Sequence, residues 1–148
     1  MRTLQPVIAP GTTEWDQALF TPAEFQARLA RLQAFVAAQG WAGAVLYGDA
    51  EGASLFSWIT GFFPRIRWSM ALVPAVGGDL RLLLGVAPRD LNFARELTWL
   101  SDPATYDKLP AVLPGWLEGL GPGRTLGLAG RDHIPFETYD RLRALSPG

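Results

Sequence analysis

Side chains able to do chemistry are few in this chain, and most are not spaced for it. His133 is the sole histidine among 148 residues, and there is no cysteine. A zinc or two-metal hydrolase needs several His, Asp or Glu ligands converging on one point. Asp132, His133 and Glu137 lie close in sequence, but at the start of a helical stretch, where the ordinary reading is a cap and a solvated surface. A serine triad would have to recruit His133, yet no serine sits in a Gly-x-Ser-x-Gly turn. Without cysteine there is no thiolate nucleophile, disulfide or thiolate metal site, which fits a reducing compartment. Glycines gather at Gly119, Gly121, Gly123, Gly127 and Gly130. A phosphate-cradling loop follows a strand and opens a helix. Here the cluster follows a helix and leads into a strand, so it reads as a helix stop and turn.

One stretch stands apart. Trp58-Ile59-Thr60-Gly61-Phe62-Phe63-Pro64-Arg65-Ile66-Arg67-Trp68 sets two arginines among four aromatic residues. A guanidinium is a planar fork of donors that grips a carboxylate bidentately, and aromatic walls keep out competing water. The same composition also fits a surface loop whose guanidinium groups lie over exposed rings. Sequence chemistry leaves both readings open.

The elements that must position this stretch follow from periodicity. Residues 1–20 lack it and contain Pro6, Pro10 and Gly11, an irregular arm. Thr21, Pro22 and Glu24 form a helix-start signature with a capping box. Phe25, Leu29, Leu32 and Val36 then share one helical face, Arg28, Arg31 and Gln39 point elsewhere, and Gly40 closes the helix. Ala44–Tyr47 is a short buried strand and Ala53–Ile59 a short helix. Ser69–Val76 and Leu80–Val86 are strands joined by Gly77-Gly78-Asp79, an antiparallel hairpin. A helix over Pro88–Glu96, a strand over Leu97–Leu100 and a helix over Pro110–Leu120, weakened by Pro114, come next. Thr125–Ala129 is the last strand, and Pro135–Leu145 an amphipathic helix presenting Phe136, Tyr139, Leu142 and Leu145. This order predicts an α/β domain over 21–148: a mixed, mostly parallel sheet of about five strands with one hairpin and helices on both faces. Ser146-Pro147-Gly148 reads as a linker or domain boundary.

Composition bounds the partners. Thirteen Lys and Arg against fourteen Asp and Glu give a net charge of −1, with no basic stripe to follow a nucleic-acid backbone. No run approaches the roughly 18 apolar residues that cross a bilayer, and the expectation is a soluble, cytoplasmic protein. With 49% apolar residues, six Trp and eight Phe, one domain can close its own core.

The segment Phe25–Phe62 resembles the N-terminal domain of the creatinase, prolidase and aminopeptidase P family. The family's arginine- and leucine-rich helix, glycine, hydrophobic strand and Tyr-Leu-Thr-Gly-Phe-like turn correspond to Arg28-Leu29-Ala30-Arg31-Leu32, Gly40, Ala44–Tyr47 and Trp58-Ile59-Thr60-Gly61-Phe62. Trp58 stands where tyrosine is usual, and an asparagine common shortly before it is missing near Leu55. The order of elements agrees over roughly 21–145. The resemblance implies a chain that is not itself an enzyme. The family's catalytic domain, a C-terminal "pita-bread" domain where two Asp, one His and two Glu hold two divalent metal ions (Mn, Co or Zn) in the peptidases, is not in this chain. It also implies that the parent is an Xaa-Pro peptidase-like hydrolase. The partners implied are that catalytic domain and further copies in a homo-oligomer. Arg65, Arg67 and Phe62, in and after Thr-Gly-Phe, are the residues expected at a neighbouring subunit's substrate pocket. Two other functions are compatible with the residues: a free-standing module for a small anionic ligand, and a pure oligomerisation or scaffold domain.

Overall fold

A computed structural model describes residues 15–122 and 124–145. The first fourteen residues of the expected arm, Gly123, and the expected boundary at Ser146-Pro147-Gly148 lie outside the described residues. From Trp15 the chain makes a turn in which the Asp16 carboxylate accepts hydrogen bonds from the backbone of Ala18 (2.9 Å) and Leu19 (3.2 Å). Helix α1, Pro22–Ala38, then begins with Pro22 in its first turn and Thr21 Oγ1 accepting from Glu24 N at 3.3 Å. Phe25, Leu29 and Val36 are buried as expected.

The other elements are β1 (Gly43–Gly48), α2 (Ser54–Thr60), β2 (Ser69–Pro74), β3 (Arg81–Leu84), α3 (Leu91–Arg95), β4 (Ala104–Thr105), α4 (Leu109–Gly119), β5 (Leu126–Ala129) and α5 (Phe136–Leu145). They form one five-stranded sheet in the order β4-β3-β2-β1-β5. β2 is antiparallel to β1 and β3, joined to β3 through Gly77 and Gly78 at positive φ (59° and 74°). β5 pairs parallel with β1, and β4 parallel with β3. Four strands therefore point one way and β2 the other: a mixed, mostly parallel sheet with one hairpin.

Strand alternation gives the sheet two apolar faces. Ala44, Leu46, Ala71, Val73, Leu82 and Leu84 pack with Leu29, Val36, Phe56, Ile59 and Ala94 of α1, α2 and α3. Val45, Tyr47, Met70, Leu72 and Leu83 pack with Leu109, Leu113, Leu117 and Leu142 of α4 and α5. α4 runs through Pro114 because Leu109, Leu113 and Leu117, at a spacing of four, anchor it on both sides of the missing N–H.

Four expectations need correction. Leu97–Leu100 is not a strand; the edge strand is β4. Thr98 and Trp99 instead spend their side chains on the end of α2, as described below, and their backbone is not extended along β3. Phe136 is 75% exposed and contributes nothing to the core. Arg28 does not point into solvent. Its side chain is 13% exposed, with the guanidinium 5.6, 4.9 and 5.5 Å from the rings of Phe20, Phe25 and Trp58. It pairs with Glu24 at 2.9 Å and donates to the Trp58 carbonyl at 2.9 Å. The Glu24 carboxylate is thus engaged along the helix with Arg28 and Arg31 and not in closing a capping box.

Candidate functional site

Because β1, β3, β4 and β5 run the same way, their carboxyl ends share one rim of the sheet with the amino end of β2. Ligands of open α/β sheets collect at this rim. It carries Asp49 after β1, Arg67 and Trp68 before β2, Tyr106 after β4, and His133 after β5.

The loop that brings the arginines here is built, not loose. Thr60, fully buried, donates from Oγ1 to the Phe56 carbonyl at 2.8 Å and accepts from Phe62 N at 3.1 Å. Thr98 Oγ1 donates to the Thr60 carbonyl at 2.5 Å, and Trp99 Nε1 to the Ile59 carbonyl at 2.8 Å. These bonds occupy carbonyls that the end of α2 would otherwise leave open. Gly61 takes φ 74°, and a side chain there would also meet the Phe25 ring at 3.1 Å. Phe62 is 0% exposed. Each residue of Thr-Gly-Phe therefore has a local physical reason: a hydroxyl clamp, a left-handed turn and a core anchor.

Beyond that anchor Pro64 is buried, and Arg65, Ile66 and Arg67 are exposed. Neither arginine makes an ion pair or a side-chain hydrogen bond among the described residues. The structure separates the three expected pocket residues. Phe62 belongs to this chain's own core and has no surface to offer a neighbour. Arg67 lines a cleft of about 440 Å³ with Asp49, Glu51, Ile66, Trp68 and Tyr106, and Arg65 lies outside that cleft. The cleft floor is aromatic: Trp68 meets Tyr106 edge-on at 5.0 Å and Tyr47 at 5.9 Å.

Sequence reading missed the group behind this floor. Asp49 Oδ1 accepts from Glu51 N (2.9 Å) and Gly52 N (2.8 Å), fixing the turn after β1. Its Oδ2 lies 3.6 Å from His133 Nδ1, and the imidazole packs so closely on Gly52 that a Cβ there would meet it at 2.8 Å. Burial, then the Asp49 charge and a hydrogen bond to it, push the Tyr47 hydroxyl well above the usual phenol range. His133 thus ties the β5–α5 turn to the β1–α2 turn, and its neighbours Asp132 and Glu137 stay exposed. The only sequence signal for this was the Gly48-Asp49 stop after β1, because the partner comes from the far end of the chain.

Among the described residues no group of three or more His, Asp or Glu side chains is placed to hold a metal ion. A larger hollow, about 640 Å³, opens at the opposite rim between the β2–β3 hairpin and α4, lined by Val76, Gly78, Asp79, Arg81, Trp116 and Leu120. Its three charged residues, Asp79, Arg81 and Asp102, stand among apolar side chains and glycines. The glycine cluster closes α4 at Gly119 and turns at Gly121 (φ 84°) into β5, the helix-stop order read from the sequence. No helix of the described residues is long and apolar enough to cross a membrane.

No protein-family model matches the chain, and no curated protein matches it.

Proposed function

We propose that this chain is the non-catalytic N-terminal domain of a creatinase, prolidase or Xaa-Pro aminopeptidase-like hydrolase. Its role there is to help build the homo-oligomer and to extend Arg65 and Arg67 into a neighbouring subunit's substrate pocket. The observation that carries the reading is the Thr60-Gly61-Phe62 turn. It is clamped by Thr98 and Trp99, and it presents two arginines, with no ion-pair partner among the described residues, directly after a buried anchor. A rigid mount suits arginines that must meet a ligand outside their own domain, since the ordering cost is met on folding and not on binding. The mixed, mostly parallel sheet supports the same reading. The chemistry itself would belong to a C-terminal domain holding two divalent metal ions, and this chain would bind none. The test is the intact native reading frame: the purified protein should assemble into a homo-oligomer and hydrolyse Xaa-Pro dipeptides in a metal-dependent way. A reading frame without a downstream metal-ligand set would refute the proposal.

One observation favours a second reading, a module that binds a small anion in its own cleft: Arg67, but not Arg65, lines the hollow with Trp68 and Tyr106. The two separate by titrating the 148-residue chain with acetate and proline. Saturable binding lost in Arg67→Ala and kept in Arg65→Ala selects the cleft. No binding by the chain, with kinetic defects in the oligomer, selects the neighbouring pocket.

A further inference from the structure

The two edges of the sheet are treated differently. β4 is only two residues long, is preceded by Pro103 and the exposed Asp102, and so offers little to pair with. β5, Leu126-Gly127-Leu128-Ala129, is twice that length, pairs on one side only among the described residues, and contains no charge, proline or bulge. Sheet edges are ordinarily blunted by such devices, and a bare one is a template for another strand.

The direction of its free groups can be worked out. The Thr125 carbonyl accepts from Ala42 N at 2.9 Å, so Thr125 turns toward β1. Backbone groups alternate along a strand, so Gly127 and Ala129 turn the same way, and Leu126 and Leu128 turn their N–H and C=O outward. Beside this edge a groove of about 610 Å³ runs between β5 and α5, lined by Leu126, Leu128, Tyr139, Leu142 and Arg143 among others. The rim of the groove is α5, which carries Glu137 and Asp140 before Arg141 and Arg143. None of these four forms an ion pair among the described residues.

We propose that β5 is a homodimer edge, pairing antiparallel with β5 of a second copy about a two-fold axis at Gly127. That register sets Leu126 against the partner's Leu128 and Leu128 against the partner's Leu126, each pair exchanging both outward backbone bonds. Gly127 faces its own counterpart in the close, non-hydrogen-bonded position, where the lack of a side chain suits the approach. The leucines meet over the groove. The two α5 helices lie side by side and antiparallel, so the acids in the first half of one face the arginines in the second half of the other. This charge order is self-complementary, which is why a second copy is the occupant argued for. The proposal stands whether or not a catalytic domain follows.

The experiment is sedimentation and hydrogen exchange on the 148-residue chain at low salt, from about 1 to about 200 µM. The expected result is a monomer–dimer equilibrium in which the Leu126 and Leu128 amides become protected as concentration rises. Leu126→Pro removes an outward N–H and should abolish the dimer. Should that variant misfold, the exposed pair Glu137→Lys/Asp140→Lys makes α5 uniformly positive and should weaken dimerisation at least tenfold, with partial recovery in high salt. A chain that stays monomeric over the range overturns the proposal. So does a dimer in which these two amides exchange independently of concentration, or one indifferent to the α5 charge reversal.

Discussion

Arg28 and Arg31 stand three residues apart on α1 and look interchangeable in the sequence, yet they should differ by several kcal/mol when removed. Arg28 is 13% exposed, bonds the Trp58 carbonyl at 2.9 Å and lies within 6 Å of three rings. A hydrogen bond to a charged group contributes about 1.5–3 kcal/mol, and a partly desolvated cation–π contact about 0.5–2 kcal/mol. The ion pair to Glu24 adds little, because that carboxylate is 43% exposed and screened. Arg28→Ala should therefore cost about 2–4 kcal/mol, after allowing for overlap between terms that share one group. Arg31, 63% exposed and 5.7 Å from Trp58, should cost under about 0.5 kcal/mol. The assay is urea unfolding followed by tryptophan fluorescence. With a slope of about 2 kcal/mol per molar urea, Arg28→Ala should lower the midpoint by about 1–2 M and Arg31→Ala by a barely resolved amount. Equal shifts, or no shift for either, would refute the claim that Arg28 ties α1 to the end of α2.

Leu29→Ala should cost about 2–5 kcal/mol as a core truncation, measured in the same unfolding series, since Leu29 is 8% exposed against the sheet. Thr98→Val keeps the shape but strands the buried Thr60 carbonyl, and should cost about 1–3 kcal/mol where Thr98→Ser costs less; similar losses in both would mean the hydroxyl does not matter. Tyr47 titrates above its unfolded value in the folded state, so its contribution is fully present below about pH 10 and is lost as pH rises beyond it. Tyr47→Phe should therefore flatten the fall in stability above that pH, and an unchanged alkaline limb would contradict the assignment. Calorimetric titration of the 148-residue chain with manganese, cobalt and zinc should show no stoichiometric micromolar binding, which turnover of an Xaa-Pro dipeptide by this chain would likewise oppose.

What the sequence made legible was whatever local rules decide. Thr21-Pro22 and the four-three-four spacing of apolar residues located α1, and Gly77-Gly78 located the hairpin. What escaped was decided by partners distant in the chain. Leu97–Leu100 has strand composition, but Thr98 and Trp99 find better partners in the open carbonyls of α2 than a ladder would give them. Arg28 resembled any surface arginine until Phe20 and Trp58, from two other segments, closed round it with Phe25 of its own helix. Phe62 and Arg67 looked like members of one pocket because they are near in sequence, whereas the buried anchor turns inward and the arginines turn out. His133 gave no sign of Asp49, because only the parallel pairing of β1 with β5 brings their following turns together.

The most direct measurement of the central claim is subunit complementation in the intact oligomer. One preparation carries Arg65→Ala/Arg67→Ala, a second has its downstream metal ligands removed, and the two are mixed under conditions that exchange subunits. The account predicts that the arginine double variant alone loses about ten- to hundredfold in kcat/KM, as expected for a lost charged hydrogen bond. It also predicts that mixing restores activity, because one subunit then supplies the arginines and the other the metal centre. Normal kinetics in the double variant, or a defect that mixing never rescues, would contradict it.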